Sequence, residues 1–278
     1  MRLLLAAVMA LALTVPALAA RQIIGSEQDH SLAAGSDCEG FFKTTFTSFR
    51  EQLGDQERRE IQLTGIDELR VTASEEGGVT IRGWNRPYAR LIVCRNAVAN
   101  TKAHASRVLS AVNVSHAKGE IAAYGPVNDD TQAWWVNMIL YVPRRATVDV
   151  RAANGGVAIR NMSGSVTAHA TSGGISVAQS TGRYKISTNS GGITLDSVSG
   201  VIEATSREGA IALRLPAPNE QTVEARITEG ADEIVCTVRS CEAGQWTANR
   251  RQLRIGAGVP DIRLLTNAAP IHIGPVTF

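Results

Sequence analysis

Seven glycines recur at intervals of nine residues along the middle of this chain. Every second one is doubled, at Gly155-Gly156, Gly173-Gly174 and Gly191-Gly192, so the full period is eighteen residues in two unlike halves. Glycine makes up only 25 of the 278 residues, so this regular spacing indicates a repeat architecture. The seven are Gly155, Gly164, Gly173, Gly182, Gly191, Gly200 and Gly209.

Pairs of apolar residues follow the same interval, and the two members of each pair are separated by one residue. This spacing is the period of a β-strand, so both members face one side of the strand and the intervening small or polar residues face outward. The pairs are Val148/Val150, Val157/Ile159, Val166/Ala168, Ile175/Val177, Tyr184/Ile186, Ile193/Leu195, Ile202/Ala204 and Ile211/Leu213, with Ile139/Tyr141 one step earlier.

These two patterns together predict an all-β fold, a parallel β-solenoid (β-helix) of 18-residue coils running from about Ile139 to Leu215. We expect the glycines at turns, where positive φ favours them. The alternative is a meander of antiparallel hairpins with a turn every nine residues. Hairpins would not require alternating single and double glycines, nor the recurrence of Ser172-Gly173-Gly174-Ile175 at Ser190-Gly191-Gly192-Ile193.

The first twenty residues are predicted to be a secretory signal peptide. Arg2 precedes an apolar run from Leu3 to Val15, and Ala17-Leu18-Ala19 supplies the small residues that a signal peptidase recognises. The alternative, an uncleaved membrane anchor, would need an apolar run of about 20 residues. No later segment is long and apolar enough for a transmembrane helix. We therefore expect residues 1–20 to be a signal peptide, 21–135 an N-terminal α+β cap region, and 136–278 the solenoid domain, interrupted near 216–251.

The N-terminal region has mixed signals. Aromatic residues spaced three and four apart predict a helix over Phe41–Leu53, and a second apolar face predicts a helix over Ala97–Val112. Strand signals lie between them, at Leu69/Val71, Val79/Ile81 and Leu91-Ile92-Val93. We expect these elements to cap one end of the solenoid, because an exposed terminal coil would template aggregation.

The C-terminal region begins where Pro216 and Pro218 end the repeat. A second nine-residue rhythm appears at Leu253/Ile255, Ile262/Leu264 and Ile271/Ile273. It is out of phase with the first, so we expect an insertion around Cys236–Arg251 to bulge from the stack.

All four cysteines follow the predicted signal peptide, and an oxidising compartment favours disulfides. Three pairings are possible. We predict a local staple, Cys236–Cys241, and a clamp on the N-terminal region, Cys38–Cys94. A zinc site is the alternative, but no histidine lies near Cys236 and Cys241 in the sequence.

The chain resembles a bacterial family known as "putative adhesins", exported domains of unknown function with a β-solenoid core. The similarity rests on Tyr141-Val142-Pro143, Val148-Asp149-Val150, the segment Asn154–Ile159 and Leu213-Arg214-Leu215-Pro216, with Gly78–Gly83 similar to an opening hairpin. It covers roughly Leu69 to Phe278. The resemblance implies a non-enzymatic adhesin-like role and brings no catalytic residues.

Calcium sites and polysaccharide-cleaving sites each require particular residues at fixed positions of such a repeat. Calcium-binding rolls with doubled glycines need an Asp at positions that here hold Arg160, Ala178 and Asp196, so we expect no metal and no cofactor. A polysaccharide-acting β-helix enzyme is the alternative function. It would need clustered acids in a groove lined by Asp149, Asp196, Arg160 or Lys185.

A possible binding surface is the outside of the solenoid, which is rich in serine and threonine, including Ser176 and Thr194. Lys185 should stack over Glu203, eighteen residues later, as a surface ion pair. Trp134 and Trp135 are adjacent in a strand and point to opposite sides, so one of them could be exposed and stack on a sugar. Ser and Thr can equally be ordinary solvent-facing residues, and both tryptophans can be core.

The leading functional hypothesis is an exported, non-enzymatic, adhesin-like structural or interaction protein, periplasmic or secreted, which binds a cell-surface glycan or envelope protein. Without Arg2 the net charge falls from +2 to about +1, and the charges look mixed along the chain, which disfavours nucleic acid as a partner. A third hypothesis is a cell-envelope assembly or stress factor that pairs an open solenoid end with a partner strand.

Overall fold

The computed structural model describes residue 38 and residues 49–61, 68–216 and 220–276. Within these ranges nineteen strands join in one curled sheet, accompanied by one α-helix, so the chain is all-β as predicted. No helix in these ranges has the length and apolar character needed to cross a bilayer.

The strands are β1 (Glu51–Ile61), β2 (Leu69–Thr72), β3 (Val79–Trp84), β4 (Ala89–Ala99), β5 (Asn113–Ala117), β6 (Glu120–Tyr124), β7 (Gln132–Pro143), β8 (Thr147–Ala152), β9 (Val157–Arg160), β10 (Ser165–Ala170), β11 (Ile175–Thr188), β12 (Ile193–Ser206), β13 (Ile211–Leu215), β14 (Val223–Ile227), β15 (Ile234–Cys236), β16 (Gln245–Trp246), β17 (Gln252–Ile255), β18 (Ile262–Thr266) and β19 (Ile271–Pro275). The helix, α1, is Lys102–Ala111.

Strands of the repeat run parallel to one another and are offset by eighteen residues. β11 pairs with β12 from Ile175↔Ile193 to Thr188↔Ser206. β9 and β10 pair with β11 at the same offset. The period of eighteen is therefore confirmed as the register of the sheet, and antiparallel hairpins are excluded within the repeat.

The two halves of the period form two rows of strands. The front row is β9, residues 175–178 of β11, residues 193–196 of β12, and β13. The back row is β8, β10, residues 183–188 of β11 and residues 201–206 of β12. Both rows bury their inward side chains in one shared core, which contains the eight apolar pairs predicted from Val148/Val150 to Ile211/Leu213. Their outward side chains therefore point to different sides of the molecule.

The doubled glycines are required by close stacking rather than by backbone conformation. A Cβ on Gly173 would lie 2.0 Å from the carbonyl oxygen of Gly155, and one on Gly191 would lie 2.1 Å from that of Gly173. Among the seven repeat glycines, positive φ occurs only at Gly182 (133°) and Gly200 (102°). The expectation of positive φ is thus wrong for the other five.

Left-handed backbone occurs instead at three residues that are not glycine. Asn161, Gln179 and Ser197 have φ of 58°, 49° and 53°, and they are spaced eighteen apart. They lie where the chain turns from the front row to the back row. Residues other than glycine rarely adopt this conformation, so the corner is imposed by the surrounding strands.

Buried hydroxyls link successive turns of the repeat. Thr188 Oγ1 donates to the carbonyl of Gly173 (3.2 Å) and accepts from the N–H of Gly191 (3.1 Å). Ser206 Oγ repeats this arrangement with the carbonyl of Gly191 (3.2 Å) and the N–H of Gly209 (2.8 Å). These bonds satisfy backbone groups at the turns, where the sheet ladder is interrupted.

At the N-terminal end, strands enter the stack out of chain order. β2 lies between β6 and β8, and β3 lies between β7 and β9, all in parallel pairs. Antiparallel pairs β1–β4, β4–β7 and β5–β6 then close this end. The strand signals assigned to β2, β3 and β4 are confirmed. The expected domain boundary at residues 135 and 136 falls inside β7, so the two regions share one sheet.

The start of the repeat and the two predicted helices need correction. Ile139 and Tyr141 point away from the main core and pack with Cys38, Ile92 and Cys94.

Residues 41–48 of the first predicted helix lie outside the described residues, and Glu51–Leu53 begin β1 because they pair with β4. The second helix starts later than predicted, at Lys102, where the Thr101 hydroxyl accepts from the N–H of His104 at 3.3 Å. Ala97–Ala99 belong to β4.

At the C-terminal end the last strands are also inserted. β18 lies between β12 and β14, and β19 lies between β13 and β15, again in parallel pairs. β17 pairs antiparallel with β14, so Leu253 and Ile255 do not continue the parallel rhythm. The segment Cys236–Arg251 does not bulge from the middle of the stack; it closes the end, with Cys241 buried and Trp246 packed on the core.

Both predicted disulfides are present, Cys38–Cys94 and Cys236–Cys241. Antiparallel pairs close the N-terminal end, and β14, β17 and β16 pair antiparallel at the C-terminal end. The other C-terminal strand, β15, is parallel to β19 and has no second strand partner among the described residues. An assembly factor with an open end therefore stays a hypothesis.

Candidate interaction surface

The residues predicted to form one binding surface lie on two sides of the molecule. Ser176 and Thr194 are register neighbours on the outside of the front row. Lys185 and Glu203 are register neighbours on the outside of the back row. The four therefore do not make a single site.

A column of charges of alternating sign runs along the outside of the back row and of the strands that extend it at both ends. Between column members the described residues form the ion pairs Arg70–Glu120 at 3.5 Å and Arg263–Glu224 at 4.0 Å, and Asp149 pairs with Arg151 at 3.4 Å. Lys185 and Glu203 form no ion pair among the described residues, contrary to the prediction. Acidic and basic members of the column are equal in number, so the column itself has no excess of either charge. The column is Glu120, Arg70, Asp149, Thr167, Lys185, Glu203, Arg263, Glu224 and Arg254.

The prediction that one tryptophan of the pair could be exposed is wrong. Trp134 is 8% exposed in the main core, and Trp135 is 3% exposed in a separate cluster with Phe49 and Val98. β7 is covered on both sides, because the cluster around Phe49 and the disulfide of Cys38 cover its outer side. The nearly continuous apolar run from Ala133 to Tyr141 signals such burial on both faces.

The outside of the front row has a different character from the back row. Small side chains form a flat strip across the four strands of the front row and the adjacent strand β3. We call it the small-residue strip. At about 4.8 Å between strands, it extends for about 19 Å. Its residues are Thr80, Ala158, Ser176, Thr194 and Ala212.

Beside this strip lies a cluster of arginines and aromatic rings that sequence reasoning missed. The guanidinium of Arg82 lies 5.6 Å from the ring centre of Tyr141, and its Nη1 donates to the Tyr141 hydroxyl at 3.0 Å. Trp84 lies next to Tyr141, with ring centres 5.5 Å apart. Arg160 is the register neighbour of Arg82 on the adjacent strand.

The β3–β4 turn completes this cluster. Arg86 lies 5.5 Å from the ring centre of Trp84, and its Nη1 donates to the Tyr88 hydroxyl at 3.1 Å. The Trp84 indole N–H donates to the Tyr88 carbonyl at 2.9 Å, which fixes the turn. We call Arg82, Trp84, Arg86, Tyr88, Tyr141 and Arg160 the arginine–aromatic patch.

The patch is locally basic, contrary to the expectation of evenly mixed charge. No Asp or Glu occurs in residues 77–119, 131–148 or 150–195, and every patch residue comes from these segments. Among the described residues, no ion pair is found for Arg82, Arg86 or Arg160. The absence of acids over such long stretches was the available sequence signal.

The alternative enzyme hypothesis required four residues to line one groove. Asp149 and Lys185 lie on the back row, whereas Asp196 and Arg160 lie on the front row. Asp196 is paired with Arg214 at 3.4 Å. These positions do not converge, and Arg160, Ala178 and Asp196 form the mixed column that was expected to be unsuited to calcium.

A shallow cavity of about 280 Å³ lies at the C-terminal end, between β14, β16 and β17. Glu224, Arg226, Trp246 and Arg254 contribute to its lining. Arg250 covers the Trp246 ring, with the guanidinium 4.5 Å from the ring centre. The wall of the cavity therefore carries both signs of charge, one acidic and two basic side chains.

Comparison with known proteins finds a family model that is similar to the centre of the chain. Residues 142–239 match the model of the family Toastrack DUF4097. The match covers 98 of the 278 residues. The matched segment includes β8 to β15, and the resemblance to an adhesin-like domain of unknown function is confirmed. No curated protein matches the chain.

Three solved structures are similar to this chain at low identity. A "putative cell adhesion protein" from Clostridium sporogenes shares 11% identity, with 81% of this chain and 100% of that chain covered and a TM-score of 0.40. A "putative adhesin" from Bacteroides fragilis shares 10%, with 80% and 97% covered and a TM-score of 0.26. A "putative lipid binding protein" from Parabacteroides distasonis shares 10%, with 80% and 97% covered and a TM-score of 0.24.

Proposed function

We propose that this protein is an exported, non-enzymatic, adhesin-like protein that binds a cell-envelope or extracellular partner through the outside of its front row. The observation that carries the proposal is the arginine–aromatic patch. Arg82 and Arg160 are neighbours on adjacent strands without an acidic partner, and aromatic rings hold Arg82 and Arg86 in place. Such a surface is suited to binding rather than to bond cleavage.

We infer that the curled sheet is a parallel β-solenoid of 18-residue coils. The parallel register of β9, β11, β12 and β13 supports this, as does the core shared by the two rows. A stack of this kind is a rigid platform, because each coil is bonded to its neighbours along whole strands. Rigid platforms hold side chains in the same relative positions before and after binding.

Export is supported by the predicted signal peptide over residues 1–20 and by the two disulfides, which form and persist in oxidising compartments. The protein would therefore act in the periplasm or outside the cell. Envelope glycans and envelope proteins are the partners available there.

The test combines location with binding. Cells producing the full chain are separated into cytoplasmic, periplasmic and external fractions, and the purified mature protein is sedimented with isolated cell envelopes at about 0.15 M salt. We expect the processed protein outside the cytoplasm and co-sedimentation with envelopes. Retention of the unprocessed chain in the cytoplasm, or no co-sedimentation, would contradict the proposal.

A further inference from the structure

We propose that the arginine–aromatic patch is a binding site for an acidic polysaccharide, one that carries a carboxylate on its repeating sugars. This inference rests on the proposed function and specifies the class of ligand. It follows from the charge, the orientation and the surroundings of the patch arginines.

The charge of the patch is not compensated within the described part of the protein. Like charges at neighbouring register positions are destabilising, and Arg82 and Arg160 occupy such positions. On the back row the same chain alternates acids and bases across successive strands. At the patch this alternation is absent. The repulsion between its neighbouring positive charges is relieved when an anion binds between them.

The guanidinium groups are also held in place before any ligand arrives. Arg82 lies over the Tyr141 ring and donates one N–H to the Tyr141 hydroxyl. Arg86 lies over the Trp84 ring and donates one N–H to the Tyr88 hydroxyl. A guanidinium has five N–H donors, so most remain for a ligand. Its planar fork matches a carboxylate through two parallel hydrogen bonds, and prior ordering lowers the entropy lost on binding.

The surroundings favour a chain of sugars over other anions. The small-residue strip beside the patch is flat and carries hydroxyls at Thr80, Ser176 and Thr194, over which a polymer can run from strand to strand. Surfaces that bind membranes combine basic residues with exposed apolar ones. The large apolar side chains exposed in the described residues lie outside the patch, at Tyr124, Val127, Val201, Val235 and Val259.

The experiment measures binding of the purified mature protein to polygalacturonate, with dextran as the neutral polymer. We expect saturable binding to polygalacturonate that weakens with added salt, and no binding to dextran. Each charged hydrogen bond contributes about 1.5 kcal/mol, so Arg82→Gln with Arg160→Gln should raise the Kd about tenfold or more.

Lys185→Gln is the matched control. It removes one exposed positive charge from the back row, at a residue that forms no ion pair among those described. Its Kd should stay within about twofold of the unchanged protein, because long-range charge alone is largely screened. Arg86→Gln, at an exposed turn residue, is a second patch variant in case the double variant folds poorly, and it should also weaken binding.

Each contrary result contradicts either the patch as a site, the class of ligand or the proposed function. An equal loss in Lys185→Gln, or equal binding to dextran, overturns the patch as a specific site. Tighter binding to phosphatidylglycerol vesicles than to polygalacturonate replaces the glycan with a lipid surface. Failure to bind polygalacturonate with envelope co-sedimentation intact overturns the ligand class alone, whereas loss of both overturns the proposed function as well.

Discussion

Gly173 and Gly174 are adjacent in the chain and face different surroundings. A methyl group on Gly173 would lie 2.0 Å from the carbonyl oxygen of Gly155, one repeat of eighteen residues earlier. On Gly174 the nearest atom would be the carbonyl oxygen of Gly192, at 3.3 Å. One glycine of the doublet is therefore fixed by contact between backbones, and the other is much less constrained.

We expect Gly173→Ala to lower the free energy of unfolding by about 2 kcal/mol or more, because overpacking against a fixed backbone forces neighbouring repeats apart. Gly174→Ala should change it by less than about 1 kcal/mol, since the reduced freedom of the unfolded chain offsets the tight contact. Urea unfolding followed by circular dichroism measures both. Equal destabilisation by the two variants would show that stacking is not what selects the first glycine.

Residue spacing predicted which side chains are buried, since alternation of apolar and small residues depends only on the geometry of a strand. It did not predict why glycine is needed. The close contact between successive glycines is set by the distance between strands eighteen residues apart in the chain, whereas turn conformation is the usual local explanation for a glycine. The left-handed residues Asn161, Gln179 and Ser197 also lacked a signal, because Gln and Ser rarely adopt that conformation.

At the scale of strands and turns, buried hydroxyls connect one eighteen-residue repeat to the next. We expect Thr188→Val to lower the free energy of unfolding by about 1–3 kcal/mol, because the Gly191 N–H and the Gly173 carbonyl lose their buried partner. Thr194→Val, on the half-exposed outside of the front row, is the control and should change it little. Thermal unfolding of the two variants compares them, and a harmless Thr188→Val would show that other groups satisfy the turn.

A carboxylate joins the beginning of β14 to the beginning of β18. Asp261 accepts from the Thr222 backbone N–H at 2.9 Å and from the Thr222 hydroxyl at 2.8 Å. The backbone hydrogen bond and then the hydroxyl lower the pKa of Asp261 below its ordinary value. The ionised form is therefore favoured in the folded protein.

The resulting stabilisation is complete above the unfolded pKa of about 3.9 and is lost as pH falls through the lower folded pKa. We expect Asp261→Asn to be less stable than the unchanged protein at pH 7, with the difference shrinking below about pH 4. Asp232→Asn, at an exposed residue, is the control. Urea unfolding across this pH range would refute the assignment if the difference stayed constant.

Elements with a clear period were predictable, and their assembly was not. β2, β3 and β4 follow from their alternation, whereas the patch brings together β3, β7, β9 and the β3–β4 turn. Two of its residues, Arg82 and Arg160, are 78 residues apart in the chain. No local pattern specifies that β3 enters the stack beside β9.

For the whole molecule, the order of strands in the sheet differs from their order in the chain at both ends. A nine-residue rhythm predicts that strands of the repeat are added one after another in chain order, and this holds from β8 to β13. Beyond those limits, antiparallel pairs and inserted strands break the rule, and such pairings depend on contacts between residues far apart in the sequence. The disulfides were predictable because few cysteines allow few pairings.

The disulfide Cys38–Cys94 joins residues 56 apart, whereas Cys236–Cys241 joins residues 5 apart. Replacing both cysteines of the longer loop by serine should lower the free energy of unfolding by about 2–4 kcal/mol, because a longer closed loop restricts the unfolded chain more. The same change at Cys236 and Cys241 should cost less. Denaturant unfolding without reductant compares the two, and the reverse order would contradict this account.

The insertion of β18 and β19 beside β12 and β13 places a constraint on when the protein can fold. The chain is synthesised from its N-terminus, so the edge of β12 and β13 remains unpaired until residues 262–275 have been made. Folding can therefore be completed only when these residues are present. A truncated chain exposes an unpaired strand edge, which can pair with other chains. A variant stopped after residue 258 should be digested rapidly by protease; resistance equal to the full chain would disprove this dependence.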